Sequence, residues 1–472
     1  MNKAFKAIWS DVRQSFVTTS EIQPSHGKRS KASVSLSVAT VLLATSGLVS
    51  AAYVETGTLG DKASWETAEY NYNWGLGAMN ASSAYALGFY GQNTTTGVMD
   101  SGAWLGNPDL DTPRITATHV TGVYGSSGNR YPQSIYATIQ KGVVPTAAEG
   151  QPFTEGEEFD VKGDYTLGLN DAHGTQVTGV IGAERNGEYG HGVAFKANVV
   201  VGNTGATDNN NYGPFQDYNY YFKGYKALAD AVNAGNGEYR GGMVNNSYGT
   251  NTKIYSSGGH RLTPDEMSEL LAGSGNYDRA SAAYAVTFSG DYSFLGLNDV
   301  PGADQYSTNP SAFEWEYMYF KLKYGDKPSF LDGAYDAVKG TNVILSWAAG
   351  NQDRGTPYLK GLYPYFHPEA EKNWLNAVGV MQTRGDNDQY MQATYCKAGL
   401  AKWWSMSGPT AYPGIGTTYV TTDLENGRLT TTGFNGTSAS DPQISGAFTV
   451  LQSRYPSTVS YTHLTLPTIL LV

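Results

Sequence analysis

The chain has 472 residues, with 31 Lys and Arg against 42 Asp and Glu, a formal charge of −11. So acidic a chain has no basic face for a phosphate backbone, which excludes nucleic acid as a partner. The 57 Gly and 19 Pro stay below the level of disordered or collagen-like chains, and the single cysteine, Cys396, excludes an internal disulfide framework.

In chain order, residues 1–52 read as an extended secretory signal peptide. Lys3, Lys6, Lys28, Arg29 and Lys31 precede an apolar run from Val34 to Val49, and Ser50, Ala51 and Ala52 follow, so cleavage is expected after Ala51 or Ala52. Ser35, Ser37, Thr40, Thr45 and Ser46 break that run, which argues against a membrane span. Residues 53–73 form a short lead, and residues 74–456 form one α/β domain. Its expected helices are 78–87, 173–183, 218–234, 330–339 and 438–454. Expected strands are Thr95–Asp100, 198–202, 243–247, 342–348 and 375–381. Most of these apolar runs lack strict alternation, as strands covered on both faces do. Strands alternating with helices predict a mainly parallel central sheet flanked by helices. Residues 250–329, rich in Gly, Ser, Asp and Tyr, read as a long insertion. The loop Asp208-Asn209-Asn210-Asn211 offers oxygens, but no ligand spacing. Structural calcium is left open on that ground, and no cofactor is required.

Four segments carry candidate chemistry. Asp100 ends a buried strand and is followed by Ser101-Gly102, the end of a parallel sheet where ligands bind. His173 opens a helix whose Gly174, Gly179, Gly182 and Ala183 permit close packing. Asn351 follows a buried strand that ends in Ala348-Ala349-Gly350. Its amide suits a developing oxyanion. Ser438 lies in Asn435-Gly436-Thr437-Ser438-Ala439-Ser440-Asp441-Pro442, where a helix begins and its backbone N–H is able to hold an anion. Pro442 is expected within the first turn of that helix. Taken singly, the Asp reads equally as a turn residue, the His as a helix cap or core residue, and the Ser as an N-cap.

Together these segments resemble the subtilisin-like serine peptidases, whose chain order is Asp, His, Ser. The resemblance rests on His173-Gly174-Thr175, Ala348-Ala349-Gly350-Asn351 and Gly436-Thr437-Ser438-Ala439-Ser440, and covers residues 74–456. It implies a three-layer subtilisin-like fold and an endopeptidase using Asp100, His173 and Ser438. Asn351 is the oxyanion donor with Thr437 assisting, and Ser247, Tyr248, Gly249 and Gln352 lie along the protein or peptide substrate. His173 and Asn351 separate the chain from the sedolisins, which place acidic residues there. The opening residues 1–9 resemble the extended signal of Gram-negative autotransporters, and Cys396-Lys397-Ala398-Gly399 and the segment from Trp403 to Pro409 are similar to the autotransporter branch of the peptidase family. This implies export to the cell surface or beyond, with an outer-membrane barrel absent from this sequence. The other reading is a catalytically inactive surface or adhesive protein on the same scaffold. The four filled catalytic positions weigh against it.

The nucleophile helix ends at Tyr455-Pro456, where the family continues with further helices, so the C-terminal helices are expected to be truncated. Val459 to Leu464 is what a transposon end sequence used in library preparation encodes. Residues 459–472 are therefore expected to be a non-native, adapter-encoded tail.

Overall fold

A computed structural model describes residues 53–129, 152–164, 172–188, 190–204, 217–237, 241–248, 328–351, 357–358, 360–383, 386–410, 417–423 and 428–456. It also describes an N-terminal antiparallel pair, Phe5–Ser10 with Ser15–Ser20, which forms a unit of its own. The expected insertion (but for its last two residues), the loop around Asp208 and the expected tail lie outside the described residues, as do Gly249 and Gln352.

Apolar runs that must be covered on both faces build the central sheet. Its strands are β1 (Thr95–Asp100), β2 (Ile115–Ala117), β3 (Asn198–Asn203), β4 (Gly242–Asn246), β5 (Val343–Ala348), β6 (Trp374–Thr383), β7 (Asp386–Gln392) and β8 (Ser405–Pro409). The order is β7-β6-β5-β4-β1-β3-β2, with β8 pairing with β6. All pairings are parallel except β6 with β7. The register sets Asp100 opposite Asn203, Val244 opposite Gly97 and Met243 opposite Ile344.

The helices cover both faces. They are α1 (His173–Gly182), α2 (Tyr218–Gly235), α3 (Phe330–Val338) and α4 (Thr437–Arg454). Side chains alternate across a strand, so neighbours feed different cores. Val98 packs with Val177, Val180 and Ile181 of α1, whereas Met99 packs with Tyr225, Leu228 and Val232 of α2. On β4 and β5, Met243 and Ile344 meet Ile444 and Phe448 of α4, while Val244 and Leu345 face the α2 side. The fold is thus α/β with three layers: α1 and α4, the sheet, then α2 and α3.

Two local expectations need correction. The single helix expected over 78–87 is two short helices, Trp74–Ala78 and Ala81–Ala86. Asn80 between them takes φ 55°, a left-handed conformation that Asn tolerates better than most residues. That break lets both Leu76 and Tyr85 reach full burial. Secondly, the lead at 53–73 is built into the domain. Glu55 pairs with the buried Arg185 at 3.1 Å, and the buried Glu69 accepts from the Asn186 and Gly187 N–H groups at 2.9 and 3.1 Å. Trp65 lies under the Arg185 guanidinium, 5.4 Å from its ring centroid. Among the described residues no helix is long and apolar enough to cross a membrane.

Candidate active site

The carboxyl ends of β1, β4 and β5 converge with the N-termini of α1 and α4, the edge of an open parallel sheet where ligands bind. Asp100 closes β1 with its carboxylate fully buried. Its Oδ1 accepts from the Ser101 N–H at 2.8 Å and lies 2.9 Å from His173 Nδ1. A carboxylate only accepts, so Nδ1 carries the proton and the neutral ring has its lone pair on Nε2. The Phe434 ring meets the imidazole edge-on at 5.4 Å.

Close backbone approach holds that histidine. The Gly174 N–H donates to Ser101 Oγ at 2.9 Å, and a Cβ on Gly174 would lie 2.2 Å from the Gly102 carbonyl oxygen. Only glycine lets α1 start this close to the end of β1, and so places His173 one residue earlier against Asp100.

Ser438 is the second residue of α4, so its N–H has no acceptor within the helix. Its hydroxyl, 8 % exposed with its residue, donates to the Ser247 carbonyl oxygen at 2.6 Å. Pro442 is the sixth helical residue, beyond the first turn expected for it. It therefore withholds the N–H that would have bonded to the Ser438 carbonyl, the i−4 acceptor. The entry into the helix needs glycine: Gly436 has φ 80°, and a Cβ there would be 2.8 Å from both polar atoms of the Asn351 amide.

Asn351 is exposed, and its amide is oriented by Thr437. Oδ1 accepts from the Thr437 N–H at 2.8 Å and from Thr437 Oγ1 at 2.9 Å. Oγ1 in turn accepts from the Gly350 N–H at 3.0 Å. With Oδ1 engaged twice, Nδ2 is the end of the amide left to donate. Thr437 thus acts as a clamp on Asn351.

The expected substrate residues separate. Ser247 is buried at the end of β4 and presents its carbonyl to Ser438. Tyr248 turns its ring into the core, edge-on to Trp347 at 5.7 Å and beneath Lys360 Nζ at 4.6 Å. Its hydroxyl lies 2.7 Å from that of Tyr225, and burial raises both phenols well above their usual range. The Tyr248 side chain is therefore part of the core.

One residue of this neighbourhood escaped the sequence reading. Asp441, fully buried one turn beyond Ser438, accepts from the Ser346 hydroxyl and from the Asn246 N–H at 3.3 Å. Burial pushes its carboxyl up to about 7, opposed by the bonds from Ser346 and Asn246, and the Asp100 charge adds to the rise. The available signal was an acidic residue inside a string of small ones. Among the described residues, no group of three or more His, Cys, Asp or Glu is placed to hold a metal ion.

With this geometry in place, comparison with known proteins supplies the family. The subtilase family model (peptidase S8) matches residues 91–471, and the chain belongs to that family. The model of the extended signal peptide of the type V secretion system matches residues 1–50. The chain is accordingly a subtilase of the autotransporter branch, addressed for export to the cell surface or the extracellular space. It is similar to an extracellular serine protease of Serratia marcescens, 24% identical over 425 residues, covering 86% of this chain and 32% of that protein. A second Serratia marcescens extracellular serine protease is 23% identical over 424 residues, with the same coverage. The chain therefore spans about a third of the length of these curated relatives. Among solved structures, the nisin leader peptidase NisP of Lactococcus lactis is similar at 15% identity and a TM-score of 0.42, covering 83% of this chain and 86% of that one.

Proposed function

We propose that the chain is an exported serine endopeptidase, the passenger of an autotransporter, that hydrolyses peptide bonds through Asp100, His173, Ser438 and an acyl-enzyme. The single observation that carries this reading is the 2.9 Å pair of Asp100 and His173 at the sheet end that also holds Ser438 at the start of α4.

The Ser438 hydroxyl leaves the Ser247 carbonyl and gives its proton to His173 Nε2 as Oγ attacks the scissile carbonyl carbon. Asp100 fixes the tautomer and stabilises the imidazolium. The carbonyl oxygen becomes an oxyanion, held by Asn351 Nδ2 and the Ser438 N–H. As the C–N bond breaks, His173 returns the proton to the leaving amine. A water then repeats the sequence: His173 takes its proton, its oxygen attacks the acyl carbon, and Ser438 leaves with the proton restored. An extended peptide adds alongside Ser247, Tyr248 and Gly249 through main-chain bonds. Hydroxyl and imidazole need not be bonded before substrate arrives, since such bonds tighten in the complex.

The test is covalent labelling by a fluorophosphonate probe, which reacts with an activated serine. The parent chain is expected to label and Ser438→Ala to stay unlabelled while folded. A folded parent that does not label would overturn the reading in favour of a silent scaffold.

A further inference from the structure

Asp441 has no part in the proton transfers above, yet it lies behind them. It follows Ser438 by three positions, so both side chains project from one side of the first turns of α4. Its carboxyl gathers donors from two strands. The Ser346 hydroxyl comes from β5 and the Asn246 N–H from the end of β4. The same strand ends are bridged by Asn246 Nδ2, which donates to the Ser346 carbonyl at 2.9 Å. Ser247, anchored through the preceding N–H, presents the carbonyl that receives the Ser438 hydroxyl at 2.6 Å. A closed circuit results, from α4 through Asp441 to Asn246 and Ser247 and back to α4 through Ser438.

The geometry points to Asp441 as a positioning residue for Ser438: it locks the Asn246–Ser247 turn to the nucleophile helix and so sets where the Ser438 hydroxyl rests. This rests on the reading of Ser438 as the nucleophile. A carboxyl is costly here. Burial raises it, the nearby Asp100 charge raises it further, and among the groups facing it only hydrogen-bond donors offset the cost. An apolar residue would fill the space without that cost, but would leave the Ser346 hydroxyl and the Asn246 N–H unpaired in the core. The amide of an Asp441→Asn side chain reproduces the contacts: its oxygen accepts from the Asn246 N–H and its NH2 donates to Ser346 Oγ. Asn therefore separates the positioning role from the charge.

The experiment resolves fluorophosphonate labelling of the full chain into the limiting rate kinact and the binding constant KI. A misplaced nucleophile lowers kinact, whereas a distorted groove raises KI. Asp441→Ala is expected to lower kinact by about 10- to 100-fold, the effect of an ångström-scale misplacement, with KI within about twofold and near-ultraviolet circular dichroism unchanged. Asp441→Asn is expected to restore kinact to within about threefold of the parent. A folded Asp441→Ala that labels at the parent rate overturns the proposal, as does Asp441→Asn labelling as slowly as Asp441→Ala. If Asp441→Ala does not fold, Ser346→Ala decides: it removes one anchor of the circuit and is expected to lower kinact, and a parent-like rate refutes the circuit. A folded parent that fails to label points instead to failure of the nucleophile assignment, a different result from any variant's.

Discussion

Two buried histidines sit in contrasting surroundings. At the carboxyl end of the sheet, His173 has Nδ1 on the Asp100 carboxylate. On the flank where the lead packs, His191 has Nδ1 donating to the Gly192 carbonyl at 2.8 Å, with Nε2 3.1 Å from Arg185 NH1. A guanidinium only donates, so Nε2 of His191 must accept and cannot carry a proton. Burial, with the Arg185 charge added, pushes His191 down to about 3. The first ring is placed beside an anion that favours its cation, and the second beside a cation that forbids it. Burial and a histidine are common to both regions. What differs is the sign of the partner, and on the proposed mechanism that separates a site that moves protons from a structural clasp.

The sharpest break of the comparison is to exchange the fates of the two rings. His173→Ala is expected to lower peptide hydrolysis by about 10⁴- to 10⁶-fold, whereas His191→Gln, while folded, leaves kcat within about twofold. Comparable losses from both would erase the distinction. The oxyanion donor comes next: Asn351→Ala is expected to reduce kcat by about 10²- to 10³-fold with KM little changed. Thr437→Val, which removes the hydroxyl bond to the amide but keeps the backbone one, is expected to cost less, about tenfold, and a larger loss than Asn351→Ala would show that Thr437 does more than clamp.

The clasp is read out in stability. His191 has a folded pKa below its unfolded value, so between about 6.5 and 3 the unfolded chain takes up a proton that the folded chain refuses. Its contribution is full above about pH 6.5 and is lost as pH falls. In denaturant unfolding, the stability of the parent relative to His191→Gln is expected to fall by on the order of 3 kcal/mol between pH 6.5 and pH 4. The neighbouring Asp109 has the opposite sign. Burial raises it to about 6 against the Asn186 bond to its Oδ1, so its contribution is full below about pH 3.8 and is lost as pH rises to about 6. Asp109→Asn is expected to be more stable than the parent above pH 6 by about 1–2 kcal/mol, and unchanged below pH 3.8.

Much of the frame is legible in the sequence because it rests on local pattern. Thr95–Asp100 is a strand over the residues expected, and α1, α2, α3 and α4 begin within one residue of expectation. The two candidate strings place His173 and Ser438 at helix starts because glycine and small residues leave few other backbones open to them. What local pattern does not carry is partnership across the chain. Nothing near Asp441 tells that its carboxyl meets Ser346 and Asn246, and nothing near Tyr248 tells that its ring faces inward to Trp347. The three residues of β2 are too few to show periodicity, and they pair only because β3 offers an edge. Pro442 shows the converse: a local rule placed it in the first turn, and α4 accepts it further in. The break at Asn80 is also local in cause, but an Asn reads as a helix end only when the packing on both sides is known.

On the proposed mechanism, Ser438 is activated by the histidine that faces an anion. Peptide mapping by mass spectrometry after fluorophosphonate treatment at neutral pH addresses it directly, in the parent chain, His173→Ala and His191→Gln. A single adduct on Ser438 is expected, lost in His173→Ala and retained in His191→Gln. An adduct on another residue, or one that forms on Ser438 at the parent rate without His173, would contradict it.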